Sequence, residues 1–137
     1  IIAITEFISR YPESENISEF KDMLNDLTGR LKEKSYQNAY TYYKIGRYKS
    51  AIVAFKNALK QYPDMPRREE AMYYTTLSAH RLAANSVEEK QIDRYLAMLD
   101  DYYSFLAEYP ESKHIKELNR LAKDARNFLD KNRKTEN

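Results

Sequence analysis

Residues 46–63 read GRYKSAIVAFKNALKQYP, and this stretch carries the clearest structural pattern in the chain. Ala51 and Ala58 lie seven residues apart, so a helix places them on one face. Their small side chains let a second helix approach closely, and Phe55 fills the space beside them. Pro63 ends the helix because it lacks a backbone N–H and restricts the residue before it. The stretch therefore predicts a helix that buries both alanines against a neighbouring helix.

The same type of helix ending occurs three times. An apolar helical stripe stops at a Tyr-Pro pair, followed by an acidic residue, at Tyr11-Pro12, Tyr62-Pro63 and Tyr109-Pro110. The glycine turn, the paired alanines and the proline stop resemble the second helix of a tetratricopeptide repeat. A frame of about 34 residues then places the central repeat at 32–65. We therefore predict an all-α, tetratricopeptide-like helical repeat array, or α-solenoid.

A long helix is predicted ahead of the central repeat. Apolar residues recur at helical spacing from Ile17 to Leu31, after an N-cap at Asn16. Gly29 is a weak interruption, because a glycine inside a helix costs about 1 kcal/mol but rarely breaks it. The pattern predicts one continuous helix over 17–45.

We expect six helices in a single domain over 1–137. The predicted helices cover 1–10, 17–45, 48–61, 67–84, 88–108 and 113–131. The domain divides into a truncated repeat (1–14), the long helix with the central repeat (15–65), a second repeat with an insertion (66–112) and a capping helix (113–137). The last helix is amphipathic with a basic, polar back, as the end of a repeat array requires.

Composition excludes several classes of function. The chain has 137 residues, 32% of them charged, and a formal net charge of +2, so no strong overall field points to nucleic acid or to a membrane. It has no cysteine, which excludes thiol catalysis and disulfides. No Gly-rich phosphate loop, nucleophile elbow or HExxH motif occurs. The histidines, His80 and His114, have no partner at metal-ligand spacing, and we expect them to be surface or partly packed residues. The sequence predicts no enzyme, no catalytic or metal site and no cofactor.

The chain resembles a family of membrane-assembly proteins. Residues 34–51, KSYQNAYTYYKIGRYKSA, and residues 55–64, FKNALKQYPD, look like the middle of BamD-type outer-membrane β-barrel assembly lipoproteins. The long helix leading into Tyr42 and Tyr43 and the Tyr-Pro endings fit the same family. The resemblance covers essentially the whole chain and corresponds to the C-terminal two-thirds or so of such a protein.

The resemblance implies a location and partners. It implies a lipoprotein on the periplasmic face of the cell outer membrane, where β-barrel proteins are folded into the membrane. The family's C-terminal repeats contact periplasmic domains of the central barrel component, and its N-terminal repeats are linked to unfolded outer-membrane proteins. Because the chain starts at Ile1, we expect it to be a fragment, and we expect membrane contact only through a lipid anchor outside it. The alternative is a cell-envelope coordinator of the same fold, acting as an adaptor in another periplasmic complex.

Candidate partner-binding residues come from the first helices of the repeats. In the repeat frame, five positions of such a helix line the concave groove. In the two repeats these are Glu33, Tyr36, Tyr40, Tyr43 and Lys44, and then Arg67, Glu70, Tyr74, Leu77 and Ser78. Tyrosine combines a large contact area, little entropy loss and a polar tip, which suits protein interfaces. Arg67 and Arg68 add positive charge at a helix start, where it opposes the helix dipole and suggests a partner carboxylate.

From these positions we predict one set of partner-binding residues: Tyr36, Tyr40, Tyr43, Lys44, Arg67, Arg68, Glu70 and Tyr74. The competing interpretation is that the rings only pack on the neighbouring repeat. For the basic tail at 131–134, which lacks interleaved aromatic residues, we expect a solvated helix end.

Overall fold

The computed structural model describes residues 17–136, with side chains over 17–133. That range contains five helices and no strand. They are α1 (Ile17–Lys44), α2 (Tyr48–Gln61), α3 (Arg68–Ala84), α4 (Glu88–Glu108) and α5 (Ile115–Glu136). The all-α prediction is confirmed, and α2 and α4 have the predicted bounds. The capping helix begins and ends later than predicted, and the predicted helix over 1–10 lies outside the described residues.

The chain divides into two compact units, residues 1–34 and residues 35–137. The described part of the first unit, residues 17–34, is helical throughout, and Arg30 pairs with Asp26 one turn earlier at 2.9 Å. The second unit holds the rest of α1 and the other four helices. The prediction that α1 continues through Gly29 is confirmed. The division into repeats stays a prediction.

Substituting alanine for Gly29 is expected to raise the free energy of unfolding by up to about 1 kcal/mol. Gly29 is exposed, and a Cβ added there meets no atom within 4 Å, so the change removes backbone entropy without a clash. Urea denaturation measures the effect. Gly46→Ala is the matched control, because Gly46 has a φ of +80° and alanine there should destabilise the protein. A loss of stability in Gly29→Ala would argue against an unbroken α1.

The turn after α1 depends on Gly46. The Gly46 N–H donates to the Tyr43 carbonyl at 3.0 Å, and the Arg47 N–H donates to the Tyr42 carbonyl at 2.9 Å. These two bonds, with a left-handed residue at Gly46, form a Schellman motif that satisfies the last carbonyls of the helix. The chain therefore reverses within a few residues, and α2 returns along α1.

The Tyr-Pro endings have the same geometry in both described copies. The Tyr62 N–H donates to the Ala58 carbonyl at 2.8 Å, and the Tyr109 N–H donates to the Phe105 carbonyl at 2.7 Å. In each copy the proline follows at once and stops the helix. The repeated sequence thus produces a repeated helix end.

The second unit has two hydrophobic clusters, with α3 contributing to both. The first contains Tyr36, Ala39, Ala51, Phe55, Ala58, Met65 and Ala71. Ala51 and Ala58 are 0% and 1% exposed, as predicted, and they pack with Ala39 of α1. The second cluster is formed by α3, α4 and α5 around Met98, Phe105 and Leu118.

Three side-chain pairs define how α3 and α5 are aligned. Glu70 lies against His114, Tyr73 donates to Glu117, and His80 lies against Asp124. Each pair is 44 residues apart. A constant separation along two helices means that they run parallel, which is the relation between equivalent helices of successive repeats. Both histidines are partly buried, as expected from the sequence.

Candidate functional site

Four tyrosines from α1 and α3 form one cluster of rings. Tyr36, Tyr40 and Tyr43 follow each other at helical spacing and share one face of α1. The Tyr40 ring lies 6.0 Å from the Tyr36 ring and 6.0 Å from the Tyr43 ring, with the planes nearly parallel. The Tyr74 ring of α3 lies 5.0 Å from Tyr40 and 4.8 Å from Tyr43. We call these four residues the tyrosine cluster.

The tyrosine cluster rests on the first hydrophobic cluster through Phe55. The Phe55 ring is fully buried and lies 5.8 Å from Tyr36 and 6.2 Å from Tyr74. Tyr36 is itself 4% exposed, whereas Tyr40, Tyr43 and Tyr74 are only partly buried. The cluster therefore has a fixed base and a solvent-facing edge. Rings held by stacking lose little further freedom when a partner binds.

Cationic side chains lie over the rings. The Lys44 ammonium is 5.1 Å from the Tyr40 ring centre, and the Arg67 guanidinium is 5.1 Å from that of Tyr36. Arg81 lies 5.2 Å from the Tyr43 ring centre and donates to the Tyr43 hydroxyl at 2.7 Å. Cations over tyrosine faces are attracted by the ring quadrupole. The surface therefore combines aromatic area with positive charge.

Burial raises the pKa of three hydroxyls in the tyrosine cluster. Desolvation raises the pKa of Tyr36 and of Tyr43, although Arg67 and Arg81 partly oppose it. The pKa of Tyr74 is raised by burial and then by its hydrogen bond with Tyr40. A tyrosine hydroxyl with a raised pKa is protonated at physiological pH, so these three hydroxyls can donate hydrogen bonds to an acidic partner.

Two of the predicted site residues lie outside the tyrosine cluster and are paired elsewhere. The Arg68 Nε donates to both carboxylate oxygens of Glu108, at 3.0 and 3.1 Å, and its Nη1 donates to the Pro63 carbonyl. Both oxygens of Glu70 lie 3.1 Å from the His114 Nε2. These contacts join α3 to the end of α4 and the start of α5.

Two further positions of the predicted groove are not on a surface. Leu77 is 4% exposed and Ser78 is fully buried, so neither can line a groove. The sequence frame placed them there because it assumed that α3 exposes the same face along its whole length. In the structure α3 is the central helix, and α2, α4 and α5 all pack against it.

Sequence reasoning missed Arg81 and the aromatic stack beside the cluster. Arg81 lies seven residues after Tyr74 on the same helix, and this spacing was a signal for a shared face. The ring of His114 stacks on Tyr73 at 3.8 Å, and Tyr73 lies 4.9 Å from Tyr74. No local sequence pattern predicts this stack, because its two rings come from residues that are far apart in the sequence.

The described residues contain neither a metal-binding cluster nor a membrane-spanning helix. Among them, no group of three or more His, Asp or Glu side chains could hold a metal ion. In the same part of the chain, no helix is both long and apolar enough to cross a bilayer.

Antiparallel helix pairs that end at a Tyr-Pro stop, one of them joined by a glycine turn, together with the parallel α3 and α5, are typical of a tetratricopeptide-like repeat protein. A family model named YfiO, described as outer membrane lipoprotein, matches residues 1–94 and also residues 28–133. The chain therefore belongs to the YfiO family of outer membrane lipoproteins, and the resemblance to BamD-type lipoproteins is confirmed. No curated protein matches the chain.

Proposed function

We propose that this chain is a non-enzymatic scaffold for the assembly of β-barrel proteins into the bacterial outer membrane. It works on the periplasmic face by docking onto periplasmic domains of the central barrel component, and unfolded outer-membrane proteins are its second class of partner. Membership of the outer membrane lipoprotein family supports the location. The observation that carries the docking role is the tyrosine cluster, an aromatic surface flanked by cations on a rigid base.

The chemistry of this surface indicates the kind of partner segment that it accepts. Partly exposed tyrosine rings offer apolar area, and their protonated hydroxyls offer hydrogen bonds. Lys44 and Arg67 are exposed at opposite ends of the α1 portion of the cluster and supply positive charge. A partner loop with an apolar side chain next to a carboxylate satisfies both features. Of the predicted residues, Arg68 and Glu70 contribute by fixing α3 against its neighbours.

The test is binding of the purified chain to the periplasmic domains of the β-barrel assembly protein from the same source. Tyr40→Ala, Tyr43→Ala and Tyr74→Ala should each weaken binding about thirtyfold, since hot-spot tyrosines contribute about 2 kcal/mol. Tyr103→Ala is the matched control, because Tyr103 is 49% exposed on α4, away from the cluster. Circular dichroism checks that all four variants keep their helicity.

Charge is tested separately. Arg67→Glu should lower the affinity most at low salt, whereas the effect of the tyrosine variants should change little with salt. Lys60→Glu, at an exposed position of α2, is the control for a change in net charge alone. Absence of binding by the wild-type chain, together with binding to peptidoglycan-associated or division-site proteins, would replace this proposal with the envelope-coordinator alternative.

A further inference from the structure

Helix α5 carries a line of basic residues on the side opposite its core contacts. Leu118, Ala122 and Ala125 are fully buried against the second hydrophobic cluster. The opposite face of the helix carries Lys116, Arg120, Lys123, Asn127 and Lys131, and all five are exposed. Their spacing of three or four residues keeps them on one line along the helix. We call this line the basic stripe, and it is about 22 Å long.

Two acidic residues of α5 contact α3, although Asp124 is still 62% exposed beside the basic stripe. Glu117 accepts a hydrogen bond from Tyr73, and Asp124 lies 2.8 Å from the His80 Nε2, so both turn toward α3. Asp130 lines a groove between α4 and α5 with Leu96. A capping helix needs only a polar outer face, and mixed charges serve that purpose. Capping requires no excess of positive charge, so it does not by itself account for four exposed cations along one line of α5.

We propose that the basic stripe lies on the anionic headgroups of a phospholipid bilayer. The stripe holds three lysines, one arginine and one asparagine, and no aromatic or aliphatic side chain. Lysine is depleted at protein–protein interfaces, where aromatic anchors dominate, and stacking aromatics are what single-stranded nucleic acid requires. A straight line of flexible ammonium groups fits a flat, fluid array of phosphates. The family's location at the outer membrane supplies such a surface.

The contact is peripheral and electrostatic. The apolar face of α5 is occupied by the core, so it has no apolar side to insert into the acyl chains. The stripe adds a second membrane contact to the lipid anchor, which the family resemblance alone gives as the only one, and it includes Lys131, which the sequence alone predicts to be part of a solvated helix end. This inference is independent of partner docking by the tyrosine cluster, which involves α1 and α3.

Vesicle co-sedimentation tests the proposal. The probes are vesicles of phosphatidylglycerol and phosphatidylcholine at 3:7 and vesicles of phosphatidylcholine alone, at about 0.05 M salt. The wild-type chain should bind the anionic vesicles, bind the neutral ones weakly and dissociate as salt rises. Each cation removed from the stripe should lower partitioning about fivefold. The stripe variant combines four substitutions, Lys116→Gln, Arg120→Gln, Lys123→Gln and Lys131→Gln. It should lose binding to the anionic vesicles.

The matched control removes the same charge from exposed sites elsewhere. This control is a single variant with four substitutions, Lys34→Gln, Lys49→Gln, Lys60→Gln and Lys90→Gln, and it should keep most of the vesicle binding. Thermal unfolding checks that both quadruple variants are folded. Tyr40→Ala should bind vesicles like the wild type, which separates this test from that of the docking role. Equal losses in the two quadruple variants, or no preference for anionic vesicles, would overturn the proposal. So would a stripe variant that keeps vesicle binding but no longer binds the assembly protein's periplasmic domains, because the stripe would then be a protein interface.

Discussion

Replacing Phe55 by alanine is expected to lower the free energy of unfolding by about 4 kcal/mol. Phe55 is fully buried among helices α1, α2 and α3, and its ring contacts Tyr36 and Tyr74. Truncation removes the burial of the ring and leaves a cavity that the helices only partly fill. Urea denaturation at low temperature, where the variant still folds, measures the loss.

Phe105→Ala is the control that separates the contribution of Phe55 to stability from its support of the tyrosine cluster. Phe105 is also fully buried, but it belongs to the second hydrophobic cluster, and its ring centre lies 5.6 Å from that of Tyr109, which is not part of the tyrosine cluster. Both variants should lose similar stability, whereas only Phe55→Ala should also weaken partner binding, because Phe55 supports the tyrosine cluster. A loss below about 1 kcal/mol in Phe55→Ala would contradict the packing of α1, α2 and α3 described above.

The helix boundaries were predictable because the signals that set them are local. A proline after tyrosine and a glycine after a helix each act within a few residues, so the ends at Gln61 and Glu108 follow from the sequence alone. The burial of Ala51 and Ala58 followed from the repeat spacing for the same reason. The end of α5 was less predictable, since its last residues are polar and carry no stop signal.

The tyrosine cluster was predictable in part. Tyr36, Tyr40 and Tyr43 share a face through their spacing, and the repeat frame placed Tyr40 and Tyr74 at equivalent positions of successive helices. Their rings are in contact, with centres 5.0 Å apart. Partner binding at these residues stays a prediction.

The paired charges could not be read from sequence. Arg67 and Arg68 look equivalent along the chain, yet one lies over the Tyr36 ring and the other binds Glu108. Which arginine meets which partner depends on how far α4 extends beside α3. The contact of His114 with Glu70 likewise depends on the alignment of two helices 44 residues apart. Packing of the whole core sets how two helices are aligned. No single sequence motif predicts that alignment.

Enlarging Ala58 to leucine is expected to cost about 2 kcal/mol of unfolding free energy. Ala58 is 1% exposed and packs in the first hydrophobic cluster with Ala51 and Met65. Protein cores are close-packed, so extra carbon atoms there must push α2 away from its neighbours or force a side chain off its rotamer. The same shift would disturb Phe55 and, through it, the tyrosine cluster.

Ala107→Leu is the control for this enlargement. Ala107 is exposed near the end of α4, close to the repeat-equivalent Tyr109-Pro110 stop, and leucine there should change the stability by less than about 0.5 kcal/mol. Thermal and urea unfolding of both variants give the comparison. If Ala58→Leu were as stable as the wild type, α2 would not be packed through its small residues, and the assignment of residues 46–63 as the second half of a repeat would fail.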